Sequence, residues 1–210
     1  MSPISATATA ALSLTAALSS MNVLAPVDAH GYISLPRASY ANSYTKTGYN
    51  SILTASAYPA FQGFKWNGSP EDNTKAFTEG FRAGGFSSLR ALLDPAAPGC
   101  GNSRTDVAPV DVSGLSVMQF QNDEEGKGFI TSHHGPCEAW IDNTRVFHGD
   151  DCRAQFTGYP ATIPINYAAC PSGQTCVLTF YWLALHEANW QVYKQCVPIK
   201  RGGSARQLRQ

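Results

Sequence analysis

The chain reads as an all-β fold, an antiparallel β-sandwich with long loops and short helices near residues 69–94. Three observations predict it. From Val110 onward, short runs rich in Val, Ile, Phe, Tyr and Trp recur with turn residues between them. Six cysteines without paired CxxC motifs read as three disulfides in an oxidising compartment rather than a zinc site. The 210 residues suffice for one domain with a sizeable core and fall short of two comfortable ones.

The elements follow in order. Residues 1–29 hold no Lys or Arg, a single acid (Asp28), and end in Val27-Asp28-Ala29, a small-x-small pattern of the kind signal peptidase cuts. A cleaved secretory peptide is expected there, followed by a secreted, extracellular domain over residues 30–200. No stretch is long and apolar enough to span a bilayer. Residues 30–68, rich in Tyr, Ser, Asn and Gly, predict long loops with one short strand. Ser69-Pro70-Glu71-Asp72 is a helix start: a capping hydroxyl, proline in the first turn, then acids near the positive end of the dipole. Ala76, Phe77, Phe81, Leu89, Leu92 and Leu93 recur at helical intervals, Gly84-Gly85 splits them into two helices, and Asp94-Pro95 ends the second.

Strands are expected at 115–121, 129–133, 137–142, 177–185 and 191–199, bounded by turns such as Asp142-Asn143, His148-Gly149-Asp150-Asp151 and Pro171-Ser172-Gly173. Cys170 and Cys176 are near enough in sequence to close a small loop; the remaining pairing stays open, because six cysteines allow fifteen connectivities. Residues 201–210 are basic, without apolar anchors, and are expected to be disordered. Formal net charge is zero, which gives no footprint for nucleic acid or a membrane. Asn67-Gly68-Ser69 is a glycosylation sequon followed by Pro70.

Five histidines carry the candidate chemistry: His30, His133, His134, His148 and His186. Cleavage after Ala29 would leave His30 first, offering a metal its free amine and its ring together. In "SHHGPCEAWID", side chains alternate along a strand, so His133 and His134 cannot both point the same way. In "FYWLALHEANWQVYKQC", Gln191 and Tyr193 are two apart and share a face, with His186 in the turn beside them. A glutamine, a tyrosine and a histidine on one edge need polar partners if buried. Three nitrogen donors with open positions suit Cu(II), which tops the divalent affinity order.

With these residues in view the chain resembles the lytic polysaccharide monooxygenases, secreted copper enzymes. The likeness rests on His30-Gly31-Tyr32, on His133-x-Gly135-Pro136, and on Ala184-Leu185-His186 followed by Gln191-x-Tyr193 and Cys196. The segments "PVDVSG" and "HHGPCEAWIDNTRVFHGDDC" are most similar to the oomycete, pectin-active group, family seventeen of the auxiliary-activity class. The likeness spans nearly all of residues 30–199. It implies an immunoglobulin-like sandwich with a flat or shallow copper face and one copper per chain. His30 and His133 would form the histidine brace, and Tyr193 would take the axial position. His186 and Gln191, with Tyr193, would serve catalysis around the metal. An external electron donor and dioxygen or hydrogen peroxide would be consumed, pectin (homogalacturonan) would be the polysaccharide cut, and the enzyme would act as a monomer.

Simpler readings stand beside each residue. His148 suits a solvated turn, Tyr193 a core position, and Trp140, Trp182 and Trp190 packing beneath the site. Tyr40, Tyr44, Tyr49 and Tyr58 are loop tyrosines able to stack on sugar rings, while Arg37, Lys46 and Lys65 are the cations able to meet uronate carboxylates. The principal rival is a non-catalytic copper-binding protein sharing the brace. A glycoside hydrolase would need two carboxylates flanking the bond, for which Glu138 and Glu187 are the nearest candidates. A carbohydrate-binding module without metal would need a surface aromatic platform.

Overall fold

The computed structural model describes residues 31–202. The expected signal segment, His30 and the tail beyond Gly202 lie outside the described residues. In chain order the strands are β1 (Tyr32–Leu35), β2 (Ser51–Thr54), β3 (Val110–Asp111), β4 (Val117–Gln121), β5 (Cys137–Ile141), β6 (Thr144–Gly149), β7 (Ala161–Pro164), β8 (Thr175–Ala184) and β9 (Asn189–Lys200). The helices are α1 (Pro70–Ala83), α2 (Leu89–Leu93) and α3 (Cys152–Gln155).

The two longest strands explain the layering. β8 and β9 carry apolar residues on both faces, so each needs cover on two sides. They pair antiparallel at the centre of a six-stranded sheet ordered β2-β9-β8-β5-β6, with β3 running parallel to the end of β9. A three-stranded antiparallel sheet, β1-β4-β7, makes the second layer. Between the sheets lie Ile33, Phe120 and Ile163 from the smaller one and Phe180, Trp182, Tyr193 and Val197 from the larger. On the other face of the large sheet, Tyr181, Leu183, Trp190 and Val192 pack with Phe61, Phe77, Leu89 and Leu93 under the helices. The molecule is an all-β sandwich with a short helical cover.

Ser69 caps α1 as its hydroxyl predicts, accepting from the Asp72 amide at 3.1 Å, and Pro70 opens the first turn. The glycine pair Gly84-Gly85 separates α1 from α2, and Asp94 follows the last residue of α2. The six cysteines pair as Cys100–Cys196, Cys137–Cys152 and Cys170–Cys176, the last closing the anticipated small loop. Three disulfides suit an oxidising environment such as the extracellular one. Among the described residues, no helix is long and apolar enough to cross a membrane.

One strand assignment is corrected. Residues 129–133 are not a strand: Phe129 and Ile130 are buried, but they enter the core from a loop, and the His133 amide closes a turn onto the Ile130 carbonyl at 3.1 Å. Apolar residues alone do not distinguish a strand from an anchored loop. Four strands escape the sequence reading or exceed it. β3, β6 and β7 were not expected, and the 30–68 region holds two strands rather than one. β3, β6 and β7 are short or edge elements, and β6, with Arg145 and His148 facing out, lacks a clean apolar alternation.

Candidate functional site

The site forms where the turn before β5 meets the turn joining β8 to β9. Gly135 sets this junction. Its φ is +148°, and a Cβ there would lie 1.9 Å from the Leu183 carbonyl oxygen, so only glycine allows the chain this close to β8. The Leu185 amide then donates to the His134 carbonyl at 2.9 Å, and the Leu183 amide to the Pro136 carbonyl at 3.0 Å. Those bonds carry residue 133 to the end of β8, beside His186.

His133 and His134 part company there, in a turn rather than along a strand. His134 is claimed by two carboxylates, Asp151 Oδ2 at 2.7 Å from Nδ1 and Glu71 Oε1 at 3.2 Å from Nε2. His133 turns the other way. Its Nδ1 lies 2.9 Å from Ser132 Oγ, its Nε2 lies 3.1 Å from Gln191 Oε1, and its ring stacks on that of His186 at 4.3 Å between centroids.

Odd-numbered residues of β9 face the smaller sheet and its end of the sandwich, which brings Gln191 and Tyr193 to the same place. The Tyr193 hydroxyl donates to Gln191 Oε1 at 2.5 Å. Tyr193 is buried, and its ring lies on Trp182, its cross-strand partner, at 4.6 Å. His133, His186, Gln191 and Tyr193 are thus brought together. Tyr49, exposed, meets the Tyr193 ring edge-on at 6.5 Å. Burial holds the His186 imidazole below its usual pKa, with Glu187 opposing, so the ring is neutral near pH 7. Its Nδ1 is buried without a hydrogen-bond partner among the described residues.

The other candidates fall elsewhere. Glu138 is fully buried under β6, accepting from Trp140 Nε1 at 2.9 Å, Arg145 Nη1 at 3.0 Å and the Arg90 amide at 3.2 Å. His148 Nδ1 lies 3.1 Å from the same carboxylate and its Nε2 lies 3.0 Å from Asp150. This is a structural ion-pair network. A carboxylate so enclosed cannot flank a glycosidic bond, so Glu138 does not support hydrolase chemistry. Trp182 and Trp190 are core residues, while Trp140 is half-buried between Arg90 and Arg145. Of the loop tyrosines, Tyr44 and Tyr49 are exposed, and Tyr40 and Tyr58 are partly buried.

Two participants were missed. Ser132 orients His133, and Gln195, two residues beyond Tyr193 on the same face, is buried and bound to the N-terminal segment. A Gln-x-Tyr-x-Gln alternation in an otherwise apolar strand was the available signal, since a buried amide demands partners.

No model of a known protein family matches the chain, and no curated protein matches it.

Among the described residues no three His, Cys, Asp or Glu side chains could hold a metal. The expected brace asks less of them: one imidazole nitrogen and an axial phenol. Because an amide oxygen only accepts, the contact with Gln191 Oε1 puts the His133 proton on Nε2 and leaves Nδ1 to accept from the Ser132 hydroxyl; to hold a metal, Nε2 would give up that proton. An imidazole nitrogen beside a phenol and an amide oxygen is a borderline donor set, of the kind that suits zinc, copper, iron or nickel.

Proposed function

We propose that this chain is a secreted copper-dependent monooxygenase of the lytic polysaccharide monooxygenase type, cutting glycosidic bonds in pectic homogalacturonan. One observation carries the reading: the convergence of His133 Nε2, Gln191 Oε1 and the Tyr193 hydroxyl beside the stacked His186 ring. His133 would hold copper through Nε2, with the Tyr193 hydroxyl beside it and His30, by resemblance, supplying amine and ring nitrogens. When bound, copper supplies one-electron redox chemistry with an external reductant and dioxygen or hydrogen peroxide, ending in hydroxylation at C1 or C4 of the sugar.

The chain's own residues provide geometry and proton placement. Ser132 Oγ can donate to His133 Nδ1 or accept from it, so it would take up the Nδ1 proton when Nε2 gives its own up to a metal. Gln191 Oε1 engages the Tyr193 hydroxyl, which holds the phenol as a neutral donor. His186, stacked on His133 and with Glu187 Oε1 3.7 Å from its Nε2, would offer a neutral imidazole as a hydrogen-bonding group beside the metal. Trp182 supports the Tyr193 ring from below, so the phenol cannot swing away.

For the substrate, Arg37 and Lys46 line one cleft of about 820 Å³ together with Tyr32, Ser34, Ser39 and Ser43. Two cations among hydroxyls suit a polyhydroxylated carboxylate such as a uronate. Lys46 already meets Asp123 at 3.2 Å, which leaves Arg37 as the stronger candidate contact. Lys65 does not line this cleft.

The deciding experiment incubates copper-loaded protein with reductant and homogalacturonan and reads the products by mass spectrometry. Oxidised oligogalacturonides are expected. Tight Cu(II) binding with no oxidised product from pectin, cellulose or chitin would instead make the chain a non-catalytic copper binder. His133→Ala should weaken Cu(II) binding by more than about 100-fold, whereas His134→Ala, whose ring serves Glu71 and Asp151, should leave it unchanged; calorimetric titration distinguishes them.

A further inference from the structure

Strand β1 begins beside the site, yet it belongs to the smaller sheet and, among the described residues, pairs only with β4. Its entry into the sandwich is held across the gap between sheets by one side chain of β9. Gln195 is 3% exposed. Its Oε1 accepts from the Ile33 amide at 2.9 Å and from the Tyr40 hydroxyl at 2.7 Å. Its Nε2 donates to the Gly31 carbonyl at 2.9 Å and to the Lys46 carbonyl at 3.2 Å. A primary amide offers two acceptor and two donor positions, and all of them are used. The partners also settle which end is oxygen. A backbone N–H only donates and a carbonyl only accepts, so a flipped amide would lose three bonds at once.

A second contact fixes the same residue from the opposite side. A Cβ on Gly31 would lie 2.2 Å from Phe120 Cε1, so the chain passes the ring at a distance only glycine permits. Phe120 packs edge-on against Trp182 at 5.6 Å, and Trp182 carries Tyr193. Gly31 is therefore tied to Tyr193 twice, through the backbone of β9 by way of Gln195 and through a file of aromatic rings by way of Phe120.

We infer that Gln195 is a positioning residue, which sets the register of the N-terminal segment against the Tyr193 face of β9, with the Phe120 ring as its backstop. Holding Gly31 fixes where the chain enters β1 relative to β9. The inference rests on the copper reading insofar as the residue preceding Gly31 supplies metal donors. The seat itself is independent of any metal. On the copper reading, the amide of Gln195 would govern binding geometry at the N-terminus through the Gly31 and Ile33 backbone alone.

The test compares the wild-type chain, its N-terminus verified by mass spectrometry, with Gln195→Met, Gly31→Ala and Val197→Ala. Gln195→Met removes all four hydrogen bonds at similar size. Gly31→Ala disturbs the other contact, against Phe120. Val197→Ala thins the same core face two residues further on and controls for stability loss. In the metal-free proteins, hydrogen exchange of the Ile33 amide should quicken at least about tenfold in Gln195→Met and Gly31→Ala, but not in Val197→Ala. With Cu(II) alone as probe, those two variants should bind at least about tenfold more weakly and show an altered electron paramagnetic resonance spectrum. Val197→Ala should keep the wild-type spectrum.

Wild-type affinity and spectrum in both Gln195→Met and Gly31→Ala would overturn the inference and leave the copper reading standing. Should the wild type bind no Cu(II), the copper reading fails and the exchange rates alone decide: quickened exchange upholds the seat, unchanged exchange ends it. If Gln195→Met does not fold, Gly31→Ala judged against Val197→Ala decides by the same readouts.

Discussion

At the scale of single residues, Glu138 shows how a buried charge is made tolerable. Burial raises its pKa, but hydrogen bonds from His148, the backbone amides of α2 and Trp140 outweigh that and hold it below the usual glutamate range. His148 moves the other way: its bond to Glu138 raises its pKa, burial opposes, and Asp150 adds to the rise. Arg145 on β6 and Arg82 of α1, which meets Asp150 at 3.3 Å, complete the charged surroundings. The two shifts have opposite consequences. The Glu138 contribution is present above the unfolded glutamate pKa, about 4.3, and is lost as pH falls through the lowered folded value. The His148 contribution is full below its unfolded pKa, about 6.5, and is lost as pH rises through the raised folded value. Melting temperature should accordingly be highest near pH 5 to 6, roughly between those two reference values. His148→Gln should abolish the decline on the alkaline side of about pH 6.5 and leave the acid limb in place. A thermal-melt series across pH checks this; an unaltered alkaline limb in the variant would show that another group is responsible.

Among the elements, α1 illustrates packing overriding propensity. Its N-terminus follows local rules, with Ser69 as cap and acids in the first turn. Its middle does not. Gly80 is a poor helix residue, and replacing it by alanine would gain about 1 kcal/mol from propensity alone. The helix, however, lies on the turn at Pro59–Phe61, where a Cβ on Gly80 would fall 2.6 Å from Phe61 Cδ1 and 2.7 Å from the Ala60 carbonyl oxygen. Phe61 is itself wedged between Phe77 and Trp190, at 5.0 and 4.8 Å, and cannot yield. Gly80→Ala should therefore destabilise the fold by roughly 1–3 kcal/mol, read as a lower midpoint in urea. A higher midpoint would mean that the turn moves aside freely. β9 teaches the companion lesson. Its even residues, Trp190 and Val192, serve the helical cover, while its odd residues serve the site and the inter-sheet core. One strand thus presents Gln191, Tyr193 and Gln195 in line, at the two-residue repeat of a strand.

For the whole molecule, the Cys100–Cys196 bridge joins the loop after α2 to the centre of β9, two cysteines 96 positions apart in the chain. Beside it the Ser103 hydroxyl accepts from the Cys196 amide at 2.7 Å, and Tyr40 bridges to Ser103, so the bridge and the Gln195 contacts form one fastened region. Replacing both cysteines by serine should cost roughly 2–5 kcal/mol, lowering the melting temperature on the order of 10 °C. Calorimetry on the double variant checks it. Unchanged melting would show that the surrounding hydrogen bonds alone hold this region.

Local signals in the sequence were enough for the all-β class, the capped helix at Ser69, the break at Gly84-Gly85, the three disulfides and the shared face of Gln191 and Tyr193. These are decided by backbone sterics, capping and strand periodicity, which act within a few residues. The roles of Phe129 and Ile130 as loop anchors, the edge strand β6, the capture of His134 by Glu71 and Asp151, and the seat made by Gln195 were settled only by tertiary structure. Each joins residues far apart in the chain: Gln195 and Gly31 are 164 positions from one another. A buried amide announces in sequence that it needs partners; only the packed sheets determine which carbonyls and amides come within its reach.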